Sequence, residues 1–223
     1  MKRTKLIHRL LPNYTKGEEI MNMVTHIVGA GLSIPILVLC IIRCVMHGNT
    51  TGIVTTAIYG CSMVTLYCIS SIYHGLHAST AKKVLQIIDH CTIYLLIAGT
   101  YTPIVMCAIR PVYPILGWGL LILQWSLAVI AATLTAIDLK KYNVFSMVCY
   151  IGAGWSIILF VPQAMQALTA SGFWLLFSGG IAYTVGAVLY GIGSKVRWMH
   201  SVFHIFVVIG SLLQFFSIYF FVI

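Results

Sequence analysis

Seven stretches of this chain are apolar for long enough to cross a lipid bilayer: residues 22–42, 53–74, 85–109, 111–136, 144–162, 173–193 and 200–223. Crossing about 30 Å of hydrocarbon at about 1.5 Å per residue takes roughly 20 such residues. Little is left over for a water-soluble domain. Charge agrees: of 223 residues only 8% are charged, against 60% hydrophobic. An ordinary soluble domain carries about 25% charged residues, and one of this composition could not cover its apolar surface. A disordered chain, a disulfide scaffold and a cytosolic enzyme are excluded. The expectation is an all-α membrane protein, with a short basic segment over residues 1–21 and a seven-helix membrane domain over 22–223. A β-barrel would alternate apolar and polar residues along each strand. The run from Ile151 to Val161 does not alternate, which favours helices.

Orientation follows from the cations. Lys2, Arg3, Lys5, Arg9 and Lys16 precede the first span, and Lys82, Lys83, Lys140, Lys141, Lys195 and Arg197 lie in the loops after the second, fourth and sixth. Only Arg43 and Arg110 fall on the other side. The positive-inside rule then puts the N-terminus in the cytoplasm and the C-terminus outside, in the cell membrane. The net charge of +9 reads as topology and contact with anionic lipid head groups, not nucleic-acid binding. The seven cysteines form no CxxC pair and read as small buried hydrophobes. Pro35 and Pro103 fall inside spans, where proline kinks a helix. Ser178, Ala182 and Gly186 make a small-residue face for close packing.

On this topology the polar residues gather at one end. Glu19, Asn22 and His26 share a face at the start of the first span. Ser70 and His74 are four apart at the end of the second, Asp89 and His90 open the third, and His200 and His204 are four apart at the start of the last. All belong to cytoplasmic helix ends. Ionisable groups inside a span cost roughly 2.5–3.5 kcal/mol on insertion scales at the bilayer centre, so a gathering of them points to function. An HxxxH pair aligns two imidazoles on one helix face, as metal ligands require. A third histidine and a carboxylate make the set resemble an open catalytic zinc site. The alternatives, site by site, are a hydrogen-bonded histidine pair and residues that cap or anchor a helix end. His77 stands three residues beyond His74 and could replace it, and His90 could support the site from behind.

The stretches Glu19 to His26, Ser70 to His74 with Asp89-His90, and His200 to His204 resemble the three signature motifs of the hemolysin III family, the bacterial branch of the progestin and adipoQ receptors. The segment from Asp89 to Pro103 is also similar to members of that family, and the resemblance runs from about Thr15 onward. It implies a seven-helix bundle with zinc held near the cytoplasmic face by His74, His200 and His204. It also implies that Asp89 handles the water, that Ser70 lies close to it, and that Glu19, Asn22 and His26 support the ligands or the fold. Two functions follow as expectations. One is a zinc-dependent intramembrane hydrolase acting on a membrane lipid, amidase- or ceramidase-like. The other is a non-enzymatic regulator of membrane fluidity with structural zinc. The cytolysin that the family name suggests would need a soluble state that seven spans do not allow.

Overall fold

A computed structural model of the chain describes residue 4, residues 6–193 and residues 195–223, the side chain of residue 7 excepted. Lys2, Arg3 and Lys5 lie outside the described residues. The described residues form helices and turns, with no strand among them. The long elements are α1 (Lys16–Met46), α2 (Thr50–Gly75), α3 (Thr80–Pro103), α4 (Pro114–Ile137), α5 (Asn143–Trp155), α6 (Val161–Ile192) and α7 (Met199–Phe221).

Local chemistry sets the boundaries. Thr15 caps α1: its Oγ1 accepts the Glu18 N–H, and the Glu18 carboxylate accepts the Thr15 N–H at 2.8 Å. This reciprocal capping starts α1 at Lys16, inside the segment 1–21 expected to precede the membrane domain. Asn49 caps α2 through the Gly52 N–H at 2.8 Å, and Ser79 caps α3 through the Lys82 N–H at 3.1 Å. Pro35 leaves α1 continuous. Past Pro103 the helical ladder of α3 widens into a π-helical segment, Ile104–Ile109, and ends with Arg110–Val112. Proline withholds its own amide and crowds the preceding turn, and such local irregularity is how helices absorb it. Tyr113 is non-helical, and Pro114 opens α4 after the break.

Six helical runs among the described residues are long and apolar enough to cross a membrane, where seven were expected. The fifth and sixth expected spans form one run, Asn143–Ile192, of 50 residues. α5 passes through a 3-10 stretch, Ser156–Phe160, into α6, because Pro162 sits in the first turn of α6, where its missing N–H costs nothing. The run is not straight. Thr169 has φ 63° and ψ 165°, non-helical values that cost a threonine about 1–3 kcal/mol. Across that break the chain returns: Trp155 Nε1 donates to Thr184 Oγ1 at 2.8 Å, and the Trp155 ring meets Phe177 edge-on at 5.2 Å. A continuous helix would hold residues 29 apart about 43 Å from each other. Asn143 and Ile192 thus lie at the same end of the bundle.

α2 contributes three large side chains to the interior. Tyr59, Met63 and Tyr67 are buried with Ile104, Leu168 and Ile218 in the main core. Close approach depends on missing side chains. A Cβ on Gly29 would strike the Tyr67 ring, and one on Gly99 would strike Ser62. On α6 the packing face is Gly179, Ala182 and Gly186; Ser178, expected on that face, is exposed. Of the cysteines, Cys40 and Cys44 are buried as expected, whereas Cys61 is exposed.

Candidate metal centre

The helix ends that carry the polar residues do meet. His74 closes α2, and His200 and His204 occupy the first turns of α7. All three are buried, and each offers a nitrogen within 4.8 Å of the others. The Nε2 atoms of His200 and His204 are 3.1 Å apart. Ligand nitrogens around a tetrahedral zinc ion stand about 3.3 Å apart, so the cluster has the dimensions of a metal site. The hydrogen bonds behind the histidines free the right atoms. His74 Nδ1 donates to Glu19 Oε2 at 2.7 Å, and His204 Nδ1 donates to the Asn22 carbonyl at 3.2 Å. Each bond fixes a tautomer and leaves Nε2 with its lone pair, the arrangement seen behind metal-binding histidines. His74 Nε2 is buried and has no partner in the protein. A buried nitrogen with a free lone pair, beside two others, fits a cation.

Glu19 and Asn22 therefore stand directly behind two histidines of the cluster, His74 and His204. Glu19 Oε1 also accepts from Lys82 Nζ at 2.6 Å, and Lys82 is buried. Asn22 Oδ1 accepts from Ser201 Oγ at 2.6 Å, which ties α1 to α7. His26 lies one turn farther along α1, its ring stacked on His204 with centroids 3.7 Å apart. Asp89, Ser70, His26, His200 and His204 line a cavity of about 150 Å³ whose other walls are mostly apolar. Ser70 is within hydrogen-bonding reach of the Asp89 carboxylate. His90 lines the same cavity but is not in the cluster: its Nδ1 donates to the Gln86 carbonyl at 2.7 Å, and its Nε2 faces Tyr190 Oη at 3.1 Å. His77 is exposed, so His74 is the histidine of this pair that enters the cluster.

Several participants escaped the sequence reading. Tyr14, in the segment before α1, stacks on His200 with centroids 4.9 Å apart. Burial, chiefly, pushes its phenol well above the ordinary tyrosine range. Glu18 Oε1 accepts the Trp198 N–H at 2.7 Å, steadying a residue at φ 68° two positions before His200. Lys82, read as a topology marker, is an internal ion-pair partner. Tyr190 sits near the C-terminal end of α6, the end that meets the histidine cluster, so widening the search at helix ends from ionisable groups to tyrosine would have found it.

Long apolar helices and a buried three-histidine cluster at one end define a multi-pass protein of the cell membrane with a candidate metal site. Comparison with known proteins makes this specific. Residues 14–215 match the family described as haemolysin-III related. The chain is 40% identical over 205 residues to hemolysin-3 of Bacillus cereus, covering 92% of each protein. It is 40% identical over 208 residues to a hemolysin-3 homolog of Bacillus subtilis (strain 168), covering 93% of this chain and 96% of that one. At 23% identity over 172 residues it also matches the monocyte to macrophage differentiation factor of Homo sapiens, covering 74% of this chain and 69% of the human protein. The chain belongs to the haemolysin III family.

Proposed function

We propose that this protein is an intramembrane, zinc-dependent hydrolase of an amide-linked membrane lipid, working in membrane lipid homeostasis. The reading includes seven crossings, a cytoplasmic N-terminus and an outside C-terminus. The observation that carries it is the joining of two environments. His200 and His204, two of a cluster of three histidines whose nitrogens lie close enough to hold one cation, share one end of an apolar cavity with a carboxylate and a hydroxyl. An acyl chain suits the apolar part, and a polar scissile group suits the histidine end. A zinc ion on His74, His200 and His204 supplies Lewis acidity and lowers the pKa of water. Asp89 accepts the proton of the attacking water, and geometry permits this because it lines the same cavity as His200 and His204. Ser70 donates a hydrogen bond either to the Asp89 carboxylate or to the oxyanion that develops on the lipid carbonyl. Water adds to the carbonyl, the amide C–N bond breaks, the proton held by Asp89 passes to the leaving nitrogen, and the products are a free fatty acid and an amine.

The test is turnover of an N-dodecanoyl amine by purified protein in lipid nanodiscs. Chelation should abolish turnover and zinc should restore it. Asp89→Ala should lower kcat by about 100-fold or more, with zinc content unchanged. Equal turnover by Asp89→Ala and the parent would remove the role given to Asp89. No turnover by the parent, with His200→Ala losing thermal stability, would make the metal a structural brace and the protein a non-enzymatic membrane regulator.

A further inference from the structure

The buried polar groups around the candidate metal centre have partners, with His26 as the exception. Asn22 is bonded to Ser201 and to His204 across α1 and α7, and the Nε2 atoms of His200 and His204 face each other in the cluster. The free Nε2 of His74 is accounted for by its place in the three-histidine cluster. His26 is 3% exposed, and both of its ring nitrogens are buried with no hydrogen-bond partner. Among the described residues, no other histidine is in that position. Buried polar atoms in folded proteins are nearly always satisfied, because an unmade hydrogen bond forfeits the whole cost of desolvation. The missing partner has to come from outside the chain.

The surroundings of His26 say where it comes from. The ring lines the cavity, together with Ser70, Asp89 and His204. Its plane is held by a face-to-face stack on His204 at 3.7 Å and 16°, and by an edge contact with Tyr67 at 5.0 Å and 83°. Ligating a metal would require the ring to leave that stack. Kept in place, an imidazole presents one donor and one acceptor, one helical turn deeper than Asn22. A lipid whose scissile amide reaches the histidine cluster and whose chain fills the cavity passes this ring.

We propose that His26 is a positioning residue that hydrogen-bonds the amide-bearing head of a lipid bound in the cavity. This assignment rests on the hydrolase reading above for the chemistry of the lipid. His26 fixes the depth at which the head group stops, so that the carbonyl stands beside Ser70 and Asp89 while the acyl chain continues between the helices. It holds substrate through hydrogen bonding and leaves the three-histidine cluster as it is.

The test uses the full chain in lipid nanodiscs and an N-dodecanoyl amine bearing a photoactivatable diazirine, so that binding is read without turnover. His26→Phe keeps a flat ring for the stack on His204 and removes both nitrogens; His26→Gln returns a donor and an acceptor. His26→Phe is expected to raise the half-saturating probe concentration at least tenfold, with zinc content and thermal midpoint at the parent's values, and His26→Gln to recover part of the loss. In hydrolysis the change should fall on KM, with kcat within about threefold. Unchanged half-saturation in His26→Phe overturns the proposal, and so does loss of zinc, which would make His26 part of the metal shell. If the parent is labelled but cleaves nothing, the hydrolase reading fails and His26 is judged on the labelling shift alone. If the parent is not labelled, both readings fall.

Discussion

Glu19 answers two groups with one carboxylate: it takes the His74 N–H on one oxygen and the Lys82 ammonium on the other. Lys82 also donates to the Leu76 carbonyl at 2.9 Å and lies over the Tyr73 ring at 5.3 Å. Removing the carboxylate leaves an enclosed ammonium without its counter-charge, which typically costs about 3 kcal/mol. It also frees His74 to rotate and change tautomer. Loss of such a supporting partner weakens metal binding about 10–100-fold. Glu19→Ala should therefore unfold at lower temperature in detergent and lose zinc to a chelator more readily. Adding Lys82→Met should restore the stability, since an apolar pair can replace a buried ion pair, but should not restore the zinc affinity. Rescue of both together would show that Glu19 acts through the fold alone. At this scale the sequence was legible where periodicity carried information: HxxxH on α7 and the Glu19, Asn22, His26 face of α1 follow from helix geometry. Lys82 was not legible, because a lysine beside a membrane span has an ordinary reading as an orientation signal, and nothing in its spacing marks it as buried. Tyr14 was hidden for a similar reason: it precedes the first helix, where no repeat predicts what a side chain meets.

The segment before α1 behaves as an element of its own. The Thr4 N–H donates to Asp138 Oδ2 at 2.8 Å, the Lys141 N–H to Oδ1 at 3.2 Å, and Arg9 Nη2 to the Ile137 carbonyl at 3.2 Å. With Tyr14 on His200 at its other end, the segment reaches from the α4–α5 turn to the metal centre. In the sequence Asp138 reads as an ordinary loop charge, yet it is 2% exposed and anchors this strap. The Thr4 N–H, above all, holds its carboxyl below the ordinary aspartate range. A carboxyl depressed in the folded state contributes stability that is complete above its unfolded pKa of about 3.9, and loses it as pH falls through the lower folded value. Hydrogen-exchange protection of the Thr4 and Lys141 amides should accordingly persist at neutral pH and fade only below about pH 4. Asp138→Asn removes the charge at every pH, so trypsin should cut after Arg9 several-fold faster at neutral pH than in the parent. Unchanged cleavage, with protection surviving at pH 2, would show that Asp138 does not hold the segment. The break within Asn143–Ile192 was only partly legible. Two apolar lengths had to be separated somewhere between residues 162 and 173, but no glycine or proline stands at Thr169. The bend is imposed by the return of Trp155 onto α6, a contact between distant residues that local sequence does not encode.

For the molecule as a whole, the number of crossings follows from which ends share an environment. Glu18 joins the start of α1 to the α6–α7 connection through Trp198, and Glu19 joins it to Lys82 in the first turn of α3. Arg9 joins the N-terminal segment to the end of α4 at Ile137. These connections occupy one end of the bundle. At the other end, Arg43 near the end of α1 donates to the Ile223 carbonyl and covers the Tyr219 ring at 4.9 Å. α4 ends and α7 begins at the same end, and the Trp155–Thr184 bond folds the run between them back on itself, so we expect that run to cross the membrane twice. A single crossing by Asn143–Ile192 would put the C-terminus on the same side as the N-terminus; two crossings put them on opposite sides. The distribution of lysine and arginine favours the second, with the N-terminus inside. Cysteines placed one at a time in a cysteine-free background, at residue 140, at residue 170 and after Ile223, should decide it with a thiol reagent that does not cross membranes. In intact cells the positions at 170 and after 223 should react and the position at 140 should react only after the membrane is opened. A protected C-terminus beside a protected residue 140 would leave six crossings. The three-histidine cluster shares the end that carries Lys82, Lys140 and Lys195. The same measurement therefore also decides on which side of the membrane the histidine cluster lies.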